Sequence, residues 1–384
     1  MKNIPKLNEE SIASACAMSI LATAGLFYVN LGGAFLSAFV DGLGIGRDIA
    51  GFIVSANKYG AAAGALVAIF IVKKVNWRIT SLFLLVSMIS VDLISSHISA
   101  PTSLIVIRFF HGVIGGISVG LGLSVIARSR APDKVFGMLL VIQYSFGSLG
   151  IFFVPRLVEV YGHNAVFAIL SLFTLMTLCL LPFIPDVTSE NAPEKSSFKL
   201  SINKPLILGL TALFLFQAAN MGIADYVFEL GKEKGLSISE TSNILTVANI
   251  ISISGGGLVY LIGLRYGRRI PLIIGFGISI LFSFILIFSD YIKLYFLANA
   301  MTGIAWGFVI PYLLGLCSSF EKSGQNAAAA GFVSKMGLAT GPLVGAVVIN
   351  TLGFTGIIFL GATALSISLV LVFLLGNDVE GRII

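Results

Sequence analysis

The sequence predicts an all-α polytopic membrane protein with twelve transmembrane helices in two pseudo-symmetric six-helix bundles. Of its 384 residues, 57% are hydrophobic and 11% are charged, and the mean hydropathy is +1.00. Soluble domains are about one quarter charged. Twelve apolar runs, each close to the roughly 20 residues that cross a bilayer as a helix, follow one another between short polar breaks. Features of the first six runs also recur in the last six.

The predicted spans follow in order from the N-terminus. They are 12–40, 48–72, 78–97, 102–127, 135–158, 164–184, 205–228, 238–264, 270–289, 292–318, 326–350 and 354–376. The first run is too long for a signal peptide and lacks a small-residue cleavage site, so it is interpreted as a retained span. An even number of spans places both termini on the same side.

Lysine and arginine indicate which side that is. With the N-terminus inside, the cytoplasmic segments carry roughly threefold more of these residues than the outer segments. The outer ones are Arg47, Arg156, Lys232, Lys234 and Lys293. We therefore expect an integral protein of the bacterial inner (plasma) membrane with both termini cytoplasmic. The basic excess reports orientation and does not indicate a nucleic-acid partner.

The longest polar interruption, DVTSENAPEKSSFKLSINK (186–204), divides the chain. It predicts an N-terminal bundle of residues 1–185, a cytoplasmic linker of 186–204 and a C-terminal bundle of 205–384. A shift of 191 residues relates the two halves. It aligns Lys74 with Arg265, Arg78 with Arg269, Gly64 with Gly255, Gly116 with Gly307, and RFFHG (108–112) with NAMTG (299–303).

Arg108 lies inside the apolar stretch SLIVIRFFHGVIGG (103–116). A guanidinium near the bilayer centre costs at least about 2.5 to 3.5 kcal/mol on insertion scales, so it needs a partner or a wet cavity. Asp92 lies at a similar depth in the preceding span, roughly 9 Å from the outer end, and can pair with it. Either the pair only fixes the two helices, or Arg108 faces the central cavity and binds substrate or tunes a protonatable neighbour. His111, three residues further, is a proton carrier or a polar packing group.

The 191-residue shift shows which other polar residues within the spans occupy equivalent positions in the two halves. It pairs Lys58 with Asn249, Arg108 with Asn299, and Tyr144 with Lys335. Each pair couples a cation with a neutral hydrogen-bonding group. Three cations near mid-membrane exceed the acids Asp92 and Asp225, and this surplus favours an anionic substrate. The alternative is that Lys58 reaches the interface or pairs with one of these acids.

Several local motifs resemble the major facilitator superfamily of secondary transporters, over essentially the whole chain. LRYGRR (264–269) resembles the family's Asp-Arg-x-Gly-Arg-Arg loop signature, with Leu264 in the acid position, and KKVNWR (73–78) keeps only its positive charge. RFFHGVIGG resembles the span-four pattern of proton-coupled members. GLATGPLVGA (337–346) resembles an exporter motif, but small residues at this spacing also serve close helix packing, which is the interpretation we favour.

The resemblance implies a central passage lined by spans one, two, four, five, seven, eight, ten and eleven, and a gating role for the basic loops. The candidate substrate-binding residues are Lys58, Arg108, Lys335, Tyr28, Asn30, Tyr144, Gln143, Gln217, Asn220, Asn249, Asn299 and Trp306. The candidate proton-coupling residues are Asp92, His111 and Asp225. The candidate gating residues are Lys74, Arg78, Arg265, Gly267, Arg268 and Arg269.

The sequence lacks a phosphate-binding Gly-Lys-Ser/Thr loop and a metal-ligand set, so we expect no enzyme activity, no cofactor and no metal. We predict a monomeric permease in membrane lipid that moves a small organic, anionic solute by alternating access, coupled to protons. A proton-driven drug or metabolite efflux antiporter is the alternative. A transport-dead membrane sensor or scaffold is the alternative from another class.

Overall fold

A computed structural model describes residues 5–72, 74–130, 132–187, 203–319 and 325–375. These residues form fourteen α-helices and two short 3₁₀ turns, Leu181–Phe183 and Leu286–Phe288. The helices are α1 (Ile12–Ala24), α2 (Phe27–Asn30), α3 (Gly32–Leu43), α4 (Arg47–Ile71), α5 (Trp77–Ser96), α6 (Pro101–Ala127), α7 (Pro132–Tyr161), α8 (Asn164–Leu180), α9 (Lys204–Ala224), α10 (Val227–Glu233), α11 (Ile238–Ile262), α12 (Arg269–Ile285), α13 (Ile292–Ser319) and α14 (Gln325–Leu374).

These helices account for the twelve predicted spans. Ten stretches of the described chain are long and apolar enough to cross a membrane, and α1 and α3 are shorter apolar helices. Helices α1 to α3 together form the first span, and α9 with α10 forms the seventh. Helix α14 holds the last two spans, which separate at Gly353, where φ is 62° and ψ is −163°. A residue without a Cβ adopts this conformation at low cost.

The first span is not the single helix that the prediction of 12–40 implies. It is interrupted at Gly25 and Leu26 and again at Leu31, whose φ of −110° and ψ of 14° lie outside the helical region. The first interruption lies against α6, where a Cβ on Gly25 would overlap the carbonyl oxygen of Gly115. The helical segments therefore follow the surface of the neighbouring helix, which hydropathy alone cannot predict.

The described chain divides into two compact units. Unit 1 contains residues 1–45 and 56–195, and unit 2 contains residues 46–55 and 196–384. Helix α4 therefore contributes its first residues to unit 2 and the remainder to unit 1. Most of the predicted linker, residues 188–202, lies outside the described residues, and the predicted domain boundaries beside it stay a prediction.

The internal repeat is visible in the packing of each unit. In unit 1, a Cβ on Gly64 of α4 would overlap the carbonyl oxygen of Val113 of α6. In unit 2, a Cβ on Gly255 of α11 would overlap the carbonyl oxygen of Ile304 of α13. The shift of 191 residues that relates the two glycines also relates the two carbonyls. The same helix contact thus occurs once in each half.

Helix α14 packs closely on α9 through glycines four residues apart. A Cβ on Gly337 would meet the Gln217 side chain, and one on Gly341 would overlap the backbone of Ala218 and Gly222. Small residues at this spacing let membrane helices approach backbone to backbone. The packing interpretation of GLATGPLVGA is therefore confirmed.

Large apolar side chains cover much of the outer surface. Phe83, Leu172, Val347 and Phe373 are each more than half exposed. A soluble protein rarely exposes so many large apolar groups, whereas in a bilayer they contact the hydrocarbon of the lipids. The chain is an integral membrane protein.

Candidate functional site

Arg108 lies at the centre of a fully buried polar network in unit 1. Its Nη1 donates to Oδ1 of Asp92 at 2.8 Å, and its Nη2 donates to Oγ of Ser95 at 2.6 Å. Neither Arg108 nor Asp92 has any solvent exposure. The guanidinium also lies 5.1 Å from the ring centre of Phe167, within the range of a cation–π contact. The pairing that the depth of the two residues predicts is present.

His111, one turn along α6, joins this network. Its Nε2 lies 3.3 Å from Oδ1 of Asp92, and its Nδ1 lies 3.0 Å from Nδ2 of Asn57 in α4. The same Nδ2 donates to the carbonyl oxygen of Arg108 at 3.0 Å. The ring of Tyr28 is 6.3 Å away, centre to centre. Four of the predicted residues thus come together, and Asn57 is a member that the sequence analysis missed.

The network balances the charge of Arg108 with one acid. Within the described residues, Oδ2 of Asp92, Nε of Arg108 and Nε2 of His111 have no hydrogen-bond partner. Buried polar atoms without a hydrogen-bond partner are uncommon in folded proteins. Arg108 therefore no longer counts toward the cation surplus that the sequence predicts.

A second polar cluster lies in unit 2, where Gln217 of α9 bridges two other helices. Nε1 of Trp306 donates to Oε1 of Gln217 at 2.7 Å, and Nε2 of Gln217 donates to Oγ of Ser334 at 2.6 Å. Gln217 is buried, and Trp306 is partly buried. The next residue in α14 is Lys335, also partly buried. Lys335 makes no ion pair or hydrogen bond with any described residue.

Two predicted amides in unit 2 bond to their own helices. Nδ2 of Asn220 donates to the Phe216 carbonyl, and Nδ2 of Asn299 donates to the Tyr295 carbonyl, both at 2.8 Å. Both side chains are partly buried. Each amide therefore keeps a carbonyl oxygen that can accept a hydrogen bond from a solute.

The other predicted residues occupy varied environments. Lys58 in α4 and Asp225 at the end of α9 are each 2% exposed. Gln143 and Tyr144 in α7 and Asn249 in α11 are partly buried. Asn30, at the end of α2, is exposed, so it is the least enclosed of the predicted substrate-binding residues.

Arg78, a predicted gating residue, lies at the start of α5 and is nearly buried. Its Nη1 donates to the Leu181 carbonyl and its Nη2 to the Ile184 carbonyl, each at 2.6 Å, and Nη2 also pairs with Asp186 at 3.0 Å. These acceptors follow α8, where helix carbonyls lose their intrahelical partners. Arg78 thus anchors the end of unit 1, whereas Lys74 is exposed.

The matching loop of unit 2 has a different structure. Gly267 adopts a positive φ of 64°, a conformation that glycine favours. Arg269 lies over the ring of Phe373 at 4.5 Å. Arg265 is exposed and Arg268 is partly buried. The two loops therefore carry similar positive charge, but their arginines contact different kinds of residue.

Unit 2 also contains a buried acid that the sequence analysis missed. Glu229 in α10 is 1% exposed; it lies 3.1 Å from Nε of Arg47 and also pairs with Lys232. Nη1 of Arg47 pairs with Glu233 at 2.8 Å. The predicted seventh span ended at residue 228, so the continuation of the helix into α10 was not foreseen.

The fold and these clusters define a polytopic transporter. The described residues contain no group of three or more His, Cys, Asp or Glu side chains that could hold a metal ion. Polar groups inside membrane-spanning helices are costly and are typical of sites that bind a small molecule.

Comparison with known proteins identifies the family. The sequence profile of the Major Facilitator Superfamily matches residues 17–337, and the chain belongs to this family. It is accordingly a secondary transporter of a small-molecule substrate, and family and fold point to a transporter and not to an enzyme. No curated protein sequence matches the chain.

Two solved structures have the same fold. One is a mutant of the nucleoside transporter NupG, with a TM-score of 0.72, 14% identity, and coverage of 95% of this chain and 98% of that one. The other is the human organic anion transporter MFSD10 (TETRAN), with a TM-score of 0.66, 15% identity, and coverage of 96% and 100%. Identities this low establish the fold alone.

Proposed function

We propose that the protein moves a small organic anion across the bacterial inner membrane by alternating access, coupled to protons. One observation supports a negatively charged substrate. Lys335 is a partly buried cation in a membrane helix, and within the described residues it has no ion-pair or hydrogen-bond partner. A charge held at that depth is costly unless something balances it. A bound carboxylate or phosphate would supply the balance.

The surroundings of Lys335 fit such a substrate. The adjacent Ser334 is held by Gln217, which also fixes the indole of Trp306 through its N–H. Because this N–H is already engaged, Trp306 offers a solute its aromatic face. A cation, an aromatic surface and a few hydrogen-bonding groups are the usual composition of a small-molecule site. The fold is similar to that of a nucleoside transporter and of an organic anion transporter. This similarity is compatible with the proposal but does not identify the substrate.

Coupling to protons is proposed for the network around Asp92. Asp92, Arg108 and His111 are buried together, and several of their polar atoms have no hydrogen bond within the described residues. An intramembrane carboxylate and imidazole in contact form a usual proton-relay pair. Asp225 stays a second proposed coupling residue because it is buried at the end of α9.

Counterflow in proteoliposomes tests the substrate. Vesicles loaded with an unlabelled organic acid should accumulate the labelled acid, and Lys335→Ala should reduce this by about tenfold or more, as expected for one lost charge-assisted contact. Lys293→Ala, which removes an exposed cation at the start of α13, is the matched control. Equal counterflow in wild type and Lys335→Ala would remove Lys335 from the site.

Proton-driven efflux is the second candidate, because the same buried network serves an antiporter equally well. Inverted vesicles carrying a proton gradient and a fluorescent cationic drug distinguish the two. Drug movement with proton counterflow, without exchange of any organic acid, would favour efflux. Exchange of an acid without drug movement would favour the anion permease.

Orientation and state of association are also proposed. We expect both termini in the cytoplasm and a monomer in lipid. In a cysteine-free background, a membrane-impermeant thiol reagent should label Lys234→Cys in intact cells and Arg265→Cys only after lysis. The reverse pattern would contradict this orientation.

A further inference from the structure

We infer that Asn57 selects the tautomer of His111 and thereby links arrival of a proton at His111 to helix α4. This inference rests on the proton coupling proposed above and assigns a positioning role to a residue that the sequence analysis did not select. The evidence lies within unit 1, where Asn57 and His111 are each 2% exposed.

The orientation of the Asn57 amide is fixed by an acceptor. Its Nδ2 lies 3.0 Å from the carbonyl oxygen of Arg108 and 3.0 Å from Nδ1 of His111. A backbone carbonyl can only accept a hydrogen bond. If the amide were turned over, its own oxygen would face the carbonyl oxygen of Arg108, which is repulsive. The NH₂ group therefore faces both partners.

This orientation determines where the His111 proton lies. Since Asn57 donates to Nδ1, that nitrogen must be the acceptor of a neutral ring, and the ring proton is then on Nε2. Nε2 faces Oδ1 of Asp92 at 3.3 Å. The result is a neutral imidazole whose single N–H is on the nitrogen that lies beside the carboxylate paired with Arg108.

A second proton on His111 is incompatible with this arrangement. It would occupy Nδ1 and face the NH₂ group of Asn57, so that two donors would oppose each other. Asn57 must then turn away, and it loses its bond to the Arg108 carbonyl or to His111. Protonation of the ring therefore breaks a side-chain contact between α4 and α6.

The groups around His111 determine the net charge of this buried site. Within the described residues, the charged and titratable groups that face His111 are Asp92 from α5, Arg108 from its own helix and the phenol of Tyr28 from α2. Asn57 is the neutral group from α4. Asp92 and Arg108 balance each other, so a proton added to His111 introduces a net positive charge in a dry site, where electrostatic effects are strong.

Helix α4 is placed to transmit the change. A Cβ on Gly112 of α6 would overlap the backbone carbonyl of Asn57, so the two helices touch at this level. Asn57 is followed by Lys58, a candidate substrate-binding residue. Movement of the Asn57 side chain thus acts on α4 next to Lys58.

NMR of the full-length protein in nanodiscs, labelled with ¹⁵N-histidine, tests the inference directly. At neutral pH, His111 should show the Nε2–H tautomer. An Nδ1–H tautomer or an imidazolium for His111 would overturn the inference without any variant being made. His97 and His163 serve as internal references in the same spectra.

Asn57→Leu removes the donor while keeping a similar volume. We expect His111 to populate both tautomers, and the pH profile of proton-driven uptake to move by about one pH unit toward alkaline values, the effect of one lost hydrogen bond. Asn57→Ala is the second variant if Leu does not fit against α6. An unchanged tautomer or an unchanged pH profile in a folded variant would overturn the inference.

The two proposals fail separately. If His111 has the expected tautomer but uptake does not depend on a proton gradient, the proposed coupling is wrong and the tautomer assignment stands. If uptake is proton-coupled but His111 has the other tautomer, only the role of Asn57 is wrong.

Discussion

Arg108 donates to Asp92 across 2.8 Å between two side chains that have no solvent exposure. A buried ion pair adds little net stability compared with apolar residues, but removing one partner leaves a charge without compensation. The free energy of unfolding is therefore expected to fall strongly only when one residue of the pair is replaced. We expect this effect on stability whatever role the pair has in transport.

Asp92→Asn is expected to destabilise the protein by about 3–5 kcal/mol, because it leaves the Arg108 guanidinium buried without a counter-charge. Thermal unfolding in detergent measures the loss. The double variant Asp92→Asn with Arg108→Gln should recover a large part of it, and the coupling of the two changes follows from a double-mutant cycle. Additive losses would show that the two residues do not act as a pair.

The depth of this pair could be predicted from the sequence, because positions in adjacent antiparallel spans fix how far each residue lies from the membrane surface. The rotation of each helix about its axis could not. Asn57 faces His111, and Gln217 reaches both Trp306 and Ser334, only because α4 and α9 present those sides to their neighbours. Hydropathy runs carry no such information when nearly all residues in a span are apolar.

Gln217→Leu should destabilise unit 2, because it leaves the N–H of Trp306 and the hydroxyl of Ser334 without a partner. Unsatisfied buried groups of this kind cost about 1–3 kcal/mol each. Thermal unfolding again gives the difference. Gln143→Leu is the matched control, since Gln143 is partly buried in a membrane helix and makes no hydrogen bond with the described residues. Equal losses in both variants would mean that the Gln217 bridge contributes nothing specific.

Gly341→Val is expected to force α14 away from α9, because even a Cβ at this position would overlap the backbone of Ala218 and Gly222. Overpacking of a close contact costs about 1–3 kcal/mol. The control is Gly331→Val in the same helix, where a Cβ would meet no atom of the described residues within 4 Å. If both variants have the same melting temperature as wild type, this contact does not hold α9 and α14 together.

Arg78→Ala should loosen the segment that follows α8, since the guanidinium satisfies carbonyls there and pairs with Asp186. A local loss of about 1.4 kcal/mol corresponds to tenfold faster amide exchange. Hydrogen–deuterium exchange of residues 181–187 is the measurement. Lys74→Ala, at an exposed position of the same loop, should leave the rate unchanged. A similar rate in both variants would assign Arg78 no anchoring role.

The basic loops also show why charge patterns predict less than hydropathy. The sequence aligns Arg78 with Arg269, and the alignment is sound, because the glycine contacts at Gly64 and Gly255 follow the same shift. Yet Arg78 binds carbonyls after α8, whereas Arg269 lies over Phe373. Long flexible side chains choose partners from their surroundings, and these have diverged between the halves.

The contact of Gly64 with Val113 recurs in the second half as the contact of Gly255 with Ile304. Around this shared contact the first half holds a guanidinium at position 108, in contact with Asp92, Ser95 and Phe167. The second half holds Asn299 at the corresponding place, bonded to its own helix. The two halves thus keep one helix contact in common while the polar groups at positions 108 and 299 have different partners.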